Sequence, residues 1–183
     1  LDGDLTDGTV DLVGSDLAPL QRLSAPLGVY AVRGDVDEHG WERAFAGLEV
    51  EIFASTRTIL GEEVAVTGLS YDDGASPHIQ VGGVDRLHVV LSHRPDFALG
   101  EVEADLLVAG HTHGGQVRLP CLGPVIKLSG IPRGWADGLT QLAGGRTLVV
   151  SRGVGMERGR APRLRFLCRP EIVLIEVLPP GRN

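Results

Sequence analysis

Two imidazoles one residue apart, His111 and His113, lie in Gly110-His111-Thr112-His113-Gly114-Gly115-Gln116, directly after the apolar run Leu106-Leu107-Val108-Ala109. Neutral imidazole is the commonest metal ligand. In an extended segment alternate side chains share a face, so both rings can turn toward one pocket, and the flanking glycines remove Cβ bulk that would crowd it. The pair alone says little, because six histidines in 183 residues give about 0.2 such pairs per chain by chance.

Partners for the pair occur at Gly3-Asp4-Leu5-Thr6-Asp7-Gly8, at Gly34-Asp35-Val36-Asp37 and at Ser92-His93-Arg94-Pro95. Each sits at an apolar-to-turn boundary. Val29-Tyr30-Ala31-Val32 precedes Asp35 and Leu87-His88-Val89-Val90-Leu91 precedes His93, so several strand ends can deliver Asp or His to one rim. Hard carboxylate oxygens beside borderline imidazole nitrogens suit first-row divalent cations. The expected chemistry is anchoring a phosphate and activating water. Arg94 and Arg152 are candidate phosphate contacts, since guanidinium matches phosphate geometry, although a surface ion pair is the commoner fate of an arginine. His39 is either a displaced general acid or a solvated residue at a helix start, and His78 and His88 read as surface or structural.

The elements that must position these groups alternate at first. Ser15-Asp16 can cap a helix carrying Leu17, Leu20 and Leu23, ended near Pro26-Leu27-Gly28. A strand follows over 29–32, and then Trp41, Phe45 and Leu48 recur at helical spacing with Gly47 as an end signal. Further strands are predicted over 50–53, 56–60, 64–67, 87–91, 106–109, 147–151 and 172–178, with a hairpin turn at Gly144-Gly145. The 147–151 and 172–178 runs are nearly continuously apolar, as strands buried on both faces are. The Pro- and Gly-rich stretch 119–139 reads as a long irregular loop of the kind that shapes substrate access.

The chain is 43% hydrophobic and 22% charged, ordinary globular composition for one domain spanning 1–183. A formal net charge of −7 opposes general nucleic-acid binding. Cys121 and Cys168 make no disulfide framework, which points to a reducing compartment and a cytoplasmic location. No apolar run of about 18 residues marks a membrane segment, and no basic-then-apolar start marks a signal peptide.

The ordered motifs at Asp4, Asp35, His93 and Gly110 to Gln116, with the ending Ser151-Arg152-Gly153-Val154-Gly155, Arg165-Phe166 and Pro170-Glu171-Ile172, resemble the calcineurin-like metallophosphoesterase superfamily. The likeness is to its bacterial branch with a Gly-His-Thr-His-Gly-Gly-Gln motif. It implies an α/β (α+β) fold, a four-layer α-β-β-α sandwich of two mixed sheets, with two divalent metal ions (Mn, Fe or Zn) at the strand ends. By position, Asp4 bridges the two ions, Asp35, His93 and His111 complete one site with Asp35 replacing the usual Asn, and His113 serves the other. Asp7 and Asp37 stand behind these ligands. Such a pair of cations, about 3.5–4 Å apart, binds phosphate oxygens and activates water for in-line attack. The implied substrate is a phosphate mono- or diester, lipid-linked in relatives that work at the membrane periphery.

Two departures shape the functional expectation. The family's first motif, Asp-x-His, has no counterpart, and Leu1-Asp2-Gly3-Asp4 reads as the tail of a strand, so an N-terminally truncated domain is the expectation, with two metals or only one in this chain as the alternatives. In Gly34-Asp35-Val36-Asp37, Val36 takes the place of a histidine that assists the leaving group, and losing a general acid typically costs about 10²–10⁴ in rate. Two functions remain in view. One is a metal-dependent phosphoesterase with a dinuclear site; the other is a catalytically impaired relative acting as a metal- or phosphate-binding interaction module.

Overall fold

The computed structural model describes residues 20–37, 39–156 and 164–178. Asp4, Asp7 and the cap expected at Ser15-Asp16 lie outside the described residues. The chain forms β1 (Val29–Val32), β2 (Val50–Phe53), β3 (Arg57–Leu60) and β4 (Val64–Gly68), followed by one helical turn, α1 (Tyr71–Gly74). After it come β5 (Gln80–Val81), β6 (Leu87–Leu91), β7 (Glu101–Val102) and β8 (Leu106–Ala109). The last are β9 (Arg118–Leu119), β10 (Gly123–Pro124), β11 (Gly138–Gln141) and β12 (Thr147–Val150). Among the described residues the fold is mixed α/β with few helices.

Six strands form the main sheet in the order β11-β12-β8-β6-β4-β3. Its four central strands run parallel, while β3 and β11 pair antiparallel at the two edges. Parallel strands are normally covered on both faces. Here the alternation of side chains divides the apolar residues between two clusters. Val90, Leu107, Leu148 and Val150 join Phe97 and Leu69 in one cluster, whereas Val66 and Leu91 meet Val32 and Phe53 of the parallel β1–β2 pair in another. A third cluster, Ala31 with Trp41 and Phe45, takes in Val50 and Ile52 of β2. The β1–β2 pair is thereby pressed against the main sheet, and the loop after β1 is brought near the ends of β6 and β8.

The contact between the sheets depends on Gly68. A Cβ there would lie 1.9 Å from Cγ of Phe53, which is fully buried. Overpacking typically costs about 1–3 kcal/mol, and with an aromatic ring and a strand backbone as the clashing groups Gly68→Ala is expected at the upper end. Urea denaturation checks this; an unchanged midpoint would show that the two sheets have room between them.

The strand expectations hold closely at β1, β2, β4, β6, β8 and β12. The helices are shorter than their spacing predicts. Leu20–Arg22 is a single 3₁₀ turn with Leu23 exposed, and Trp41–Phe45 is a five-residue 3₁₀ helix. Gly40 and Gly47 bracket the latter with positive φ, although Trp41 and Phe45 still bury their rings edge to face, 5.6 Å apart. The strand expected over 172–178 is absent: Ile172 is 89% and Leu174 95% exposed, and no β-ladder includes them. An apolar run becomes a strand only where a neighbouring edge accepts its backbone groups. The long loop, conversely, contains β9 and β10, a 3₁₀ turn and the start of β11. Among the described residues no helix is long and apolar enough to cross a membrane.

Candidate metal centre

Three strand ends meet at one point. The ladder between β6 and β8 continues past both strands, Ser92 N donating to Val108 O and Gly110 N to His93 O, each at 3.0 Å, which sets His93 beside Gly110-His111. From the other sheet, β1 leads into Arg33-Gly34-Asp35. That loop is closed by Asp37, whose buried carboxylate accepts from Gly34 N at 2.8 Å while its carbonyl accepts from Arg33 Nε and Nη2 at 3.0 and 2.9 Å. Asp37 thus stands behind Asp35 and holds its loop in shape.

The resulting cluster is compact. His93 Nε2 lies 2.9 Å from Asp35 Oδ1 and 3.2 Å from His111 Nδ1, and His111 Nδ1 is 3.4 Å from Asp35 Oδ1. One ligand atom from each residue lies within 4.8 Å of the others. His93 and His111 are buried, whereas Asp35 sits at the exposed lip. On the far side of its ring, His111 Nε2 faces the carbonyl oxygen of Leu128 at 2.9 Å. A carbonyl only accepts, so Nε2 carries a hydrogen, and in the neutral ring Nδ1 then presents its lone pair to the cluster.

The electrostatics agree with a cation-binding role. Burial works to raise the Asp35 carboxyl pKa, but hydrogen bonds and charge interactions with His111 and His93 in their protonated forms outweigh it and hold the group well below the usual carboxylate range. With the His111 ring neutral, an ionised carboxylate and the His111 lone pair converge on the edge of a second imidazole. In the metal-free protein a hydrogen on His93 Nε2 can satisfy both acceptors, and a divalent cation would take that hydrogen's place. Two imidazoles and one carboxylate form a donor set suited to Mn, Fe or Zn, with a second ring nitrogen donating to a backbone carbonyl as metal-bound histidines commonly do.

His113 does not share this cluster among the described residues. The reason is local. His111 and His113 have φ of 63° and 47°, and Gly114, Gly115 and Gln116 are also positive, so the motif is a tight turn and not the extended segment that would put both rings on one face. Thr112 pins this turn through Oγ1, which donates to Ala136 O at 2.6 Å and accepts from Gly114 N at 3.3 Å. The glycines serve the turn itself. A Cβ on Gly114 would meet Arg152 Cγ at 2.5 Å and Cys168 Sγ at 2.8 Å.

The remaining sequence candidates lie around this core. Val36 is 42% exposed on the loop between Asp35 and Asp37. Arg94 directs Nε to Asp96 Oδ2 and Nη2 to Leu128 O, both at 3.3 Å. Arg152 pairs with Glu171 through Nη2, and its backbone N donates to the same carboxylate at 2.9 Å. Both guanidiniums are engaged within the protein. His88 is a structural histidine, 2% exposed, with Nε2 2.7 Å from Thr67 Oγ1 and Nδ1 2.9 Å from Glu103 O; His39 and His78 are exposed.

Sequence reasoning missed several supports. Arg165 Nη1 donates to His113 O at 3.4 Å and Nη2 to Arg152 O at 2.7 Å, while the buried Cys168 thiol donates to His113 O at 3.2 Å. Asp96 and Leu128 were likewise unassigned. Of these only Asp96 carried a visible signal, as an acidic residue following Arg94-Pro95 beside a ligand candidate.

Comparison with known proteins finds several curated relatives. The "uncharacterized metallophosphoesterase YkuE" of Bacillus subtilis (strain 168) is 33% identical over 181 residues, covering 85% of this chain and 58% of that protein. The "phosphodiesterase YaeI" of Escherichia coli (strain K12) is 37% identical over 93 residues, covering 49% and 32%. An "uncharacterized metallophosphoesterase" of Aquifex aeolicus (strain VF5) is 27% identical over 198 residues, covering 98% and 72%. The chain thus spans a little over half the length of YkuE and about a third of YaeI. No family model and no solved structure matches the chain.

Proposed function

We propose that the chain belongs to the calcineurin-like metallophosphoesterase superfamily and hydrolyses a phosphate mono- or diester with a divalent metal. The names of the relatives support the class of reaction. The single observation that carries the reading is the convergence of Asp35, His93 and His111 from two different sheets to within 4.8 Å. In this proposal they hold one cation, while Asp4 and His113 hold a second to complete a dinuclear site. The remaining family features, a single domain over 1–183, a four-layer sandwich and lipid-linked esters as the substrate subclass, belong to the same proposal.

A cation in this cluster would polarise a phosphoryl oxygen and lower the pKa of a coordinated water. The chain's own groups do the rest. His93 and His111 supply neutral donors that keep the cavity from becoming strongly anionic, and Asp37 holds the Asp35 loop at the rim. Asp35, in place of the Asn that the family resemblance implies, adds a negative charge that tightens cation binding and opposes an incoming phosphate. Val36 can neither donate a proton nor stabilise an oxyanion, so departure of the leaving group goes unassisted from that position. Esters with good leaving groups are therefore the favoured substrates.

Val36 also supports the second reading, an impaired relative that binds metal or phosphate without turnover. Metal content of the purified protein, measured beside turnover of nitrophenyl phosphate and bis(nitrophenyl) phosphate, separates the two. Bound divalent metal with turnover that a chelator abolishes is expected. Bound metal with no turnover favours the interaction module, and a protein that takes up no Mn, Fe or Zn sinks both.

A further inference from the structure

The carbonyl that faces His111 Nε2 belongs to Leu128, a non-glycine residue held at φ 51°. Such a backbone conformation is costly and persists only where its surroundings enforce it. Lys127 Nζ contributes by donating to Ser129 O at 2.6 Å and Ile131 O at 2.5 Å, and the larger share of the enforcement comes from Asp96. Asp96 is 5% exposed; its Oδ1 accepts from Gly130 N at 2.7 Å, and its Oδ2 accepts from Ser129 Oγ at 2.9 Å and from Arg94 Nε at 3.3 Å. Arg94 in turn donates Nη2 to the same Leu128 carbonyl at 3.3 Å. The two residues after Leu128 and the arginine at its carbonyl are thus all tied to a single carboxylate.

We propose that Asp96 is a positioning residue of the metal centre, holding segment 128–130 so that the Leu128 carbonyl selects the Nε2–H tautomer of His111 and leaves Nδ1 free to ligate. The inference rests on the metal-binding reading of Asp35, His93 and His111. A neutral histidine has two tautomers of similar energy, and the hydrogen bond made by one ring nitrogen decides which lone pair faces the metal. Without the carbonyl, part of the population carries its hydrogen on Nδ1, pointing at the place of the cation, and affinity falls. Loss of such outer partners typically costs about 10–100-fold in metal affinity.

The test uses Asp96→Asn, which keeps the volume and removes the charge, and Ser129→Ala as a milder change on the same segment. Imidazole ¹⁵N shifts are recorded on metal-free protein at alkaline pH, where the rings are neutral, and Zn affinity is measured by chelator competition. The wild type is expected to show His111 as the Nε2–H tautomer. Asp96→Asn is expected to show a tautomer mixture and a Zn affinity about 10–100-fold lower, with Ser129→Ala shifted the same way to a smaller degree. His78→Ala serves as control, because it removes an exposed histidine outside the cluster and is expected to leave tautomer and affinity alone. If Asp96→Asn keeps the Nε2–H tautomer and an affinity within about twofold of wild type, the proposal is overturned. Should the wild type bind no metal, the phosphoesterase reading fails by itself, and the tautomer measurement still decides the role of Asp96.

Discussion

Replacing His93 by alanine is expected to reduce affinity for Zn or Mn by more than about 100-fold, beyond what loss of an outer partner costs, and to abolish any chelator-sensitive turnover. His93 is the pivot of the cluster: its Nε2 lies within 3.2 Å of both other ligand atoms, and removing it leaves two donors from opposite sheets with nothing between them. Chelator competition measures the affinity, with His39→Ala as an exposed control outside the cluster. An unchanged affinity in His93→Ala would remove the metal centre from the account. The same titration carries a pH signature. Asp35 stays ionised through the whole acid range in which imidazoles titrate, because its pKa is depressed. Retention of the cation therefore follows His93 and His111. Lowering the pH is expected to release the cation through proton competition for the nitrogen donors, with up to two protons taken up per ion.

Val36→His is the second large effect, and it runs toward gain. Val36 lies on a loop whose shape is held by Asp37 on one side and Arg33 on the other, so an imidazole can be added at the exposed position without rebuilding the backbone. A general acid typically contributes about 10²–10⁴ in rate. The gain is expected in full with phenyl or alkyl phosphodiesters, whose leaving oxygen needs a proton, and to be much smaller with nitrophenyl esters, which depart unaided. It should also be confined to pH below the new imidazole's pKa and fade as pH rises through it, since only the protonated ring can donate. Equal rates for variant and wild type on the phenyl ester would show that the valine is not what limits turnover.

How far the sequence could be read depended on the range of the physics involved. The central strands were legible because apolar runs such as Leu87-His88-Val89-Val90-Leu91 and Leu106-Leu107-Val108-Ala109 state their own burial on both faces. The hairpin at Gly144-Gly145 was legible because two consecutive positive-φ residues need little beyond themselves. The segment 172–178 has the same apolar character as β12, yet it stays exposed. Strand propensity is satisfied only by a second strand, and nothing within those seven residues says whether one is present. The helices shortened to single turns for a related reason, since a spacing of apolar residues identifies a buried face and not the length of chain that winds to present it.

For the candidate site, the residue types and their place at strand ends were written in the sequence: Asp35, His93 and His111 each follow an apolar run by a few positions. Their meeting was not, because it requires the β1–β2 pair to pack through Val32 and Phe53 on Val66 and Leu91. Only the folded backbone separated His111 from His113, whose spacing suggested one shared face until the positive φ angles turned the motif into a tight loop. Only it engaged Arg94 and Arg152 with Asp96 and Glu171, and brought the Leu128 carbonyl to His111. Amino-acid order determines what a few neighbouring residues prefer. Which donor atom faces which partner is a sum over contacts between segments far apart in the chain, and that sum exists only once the sheets have closed on each other.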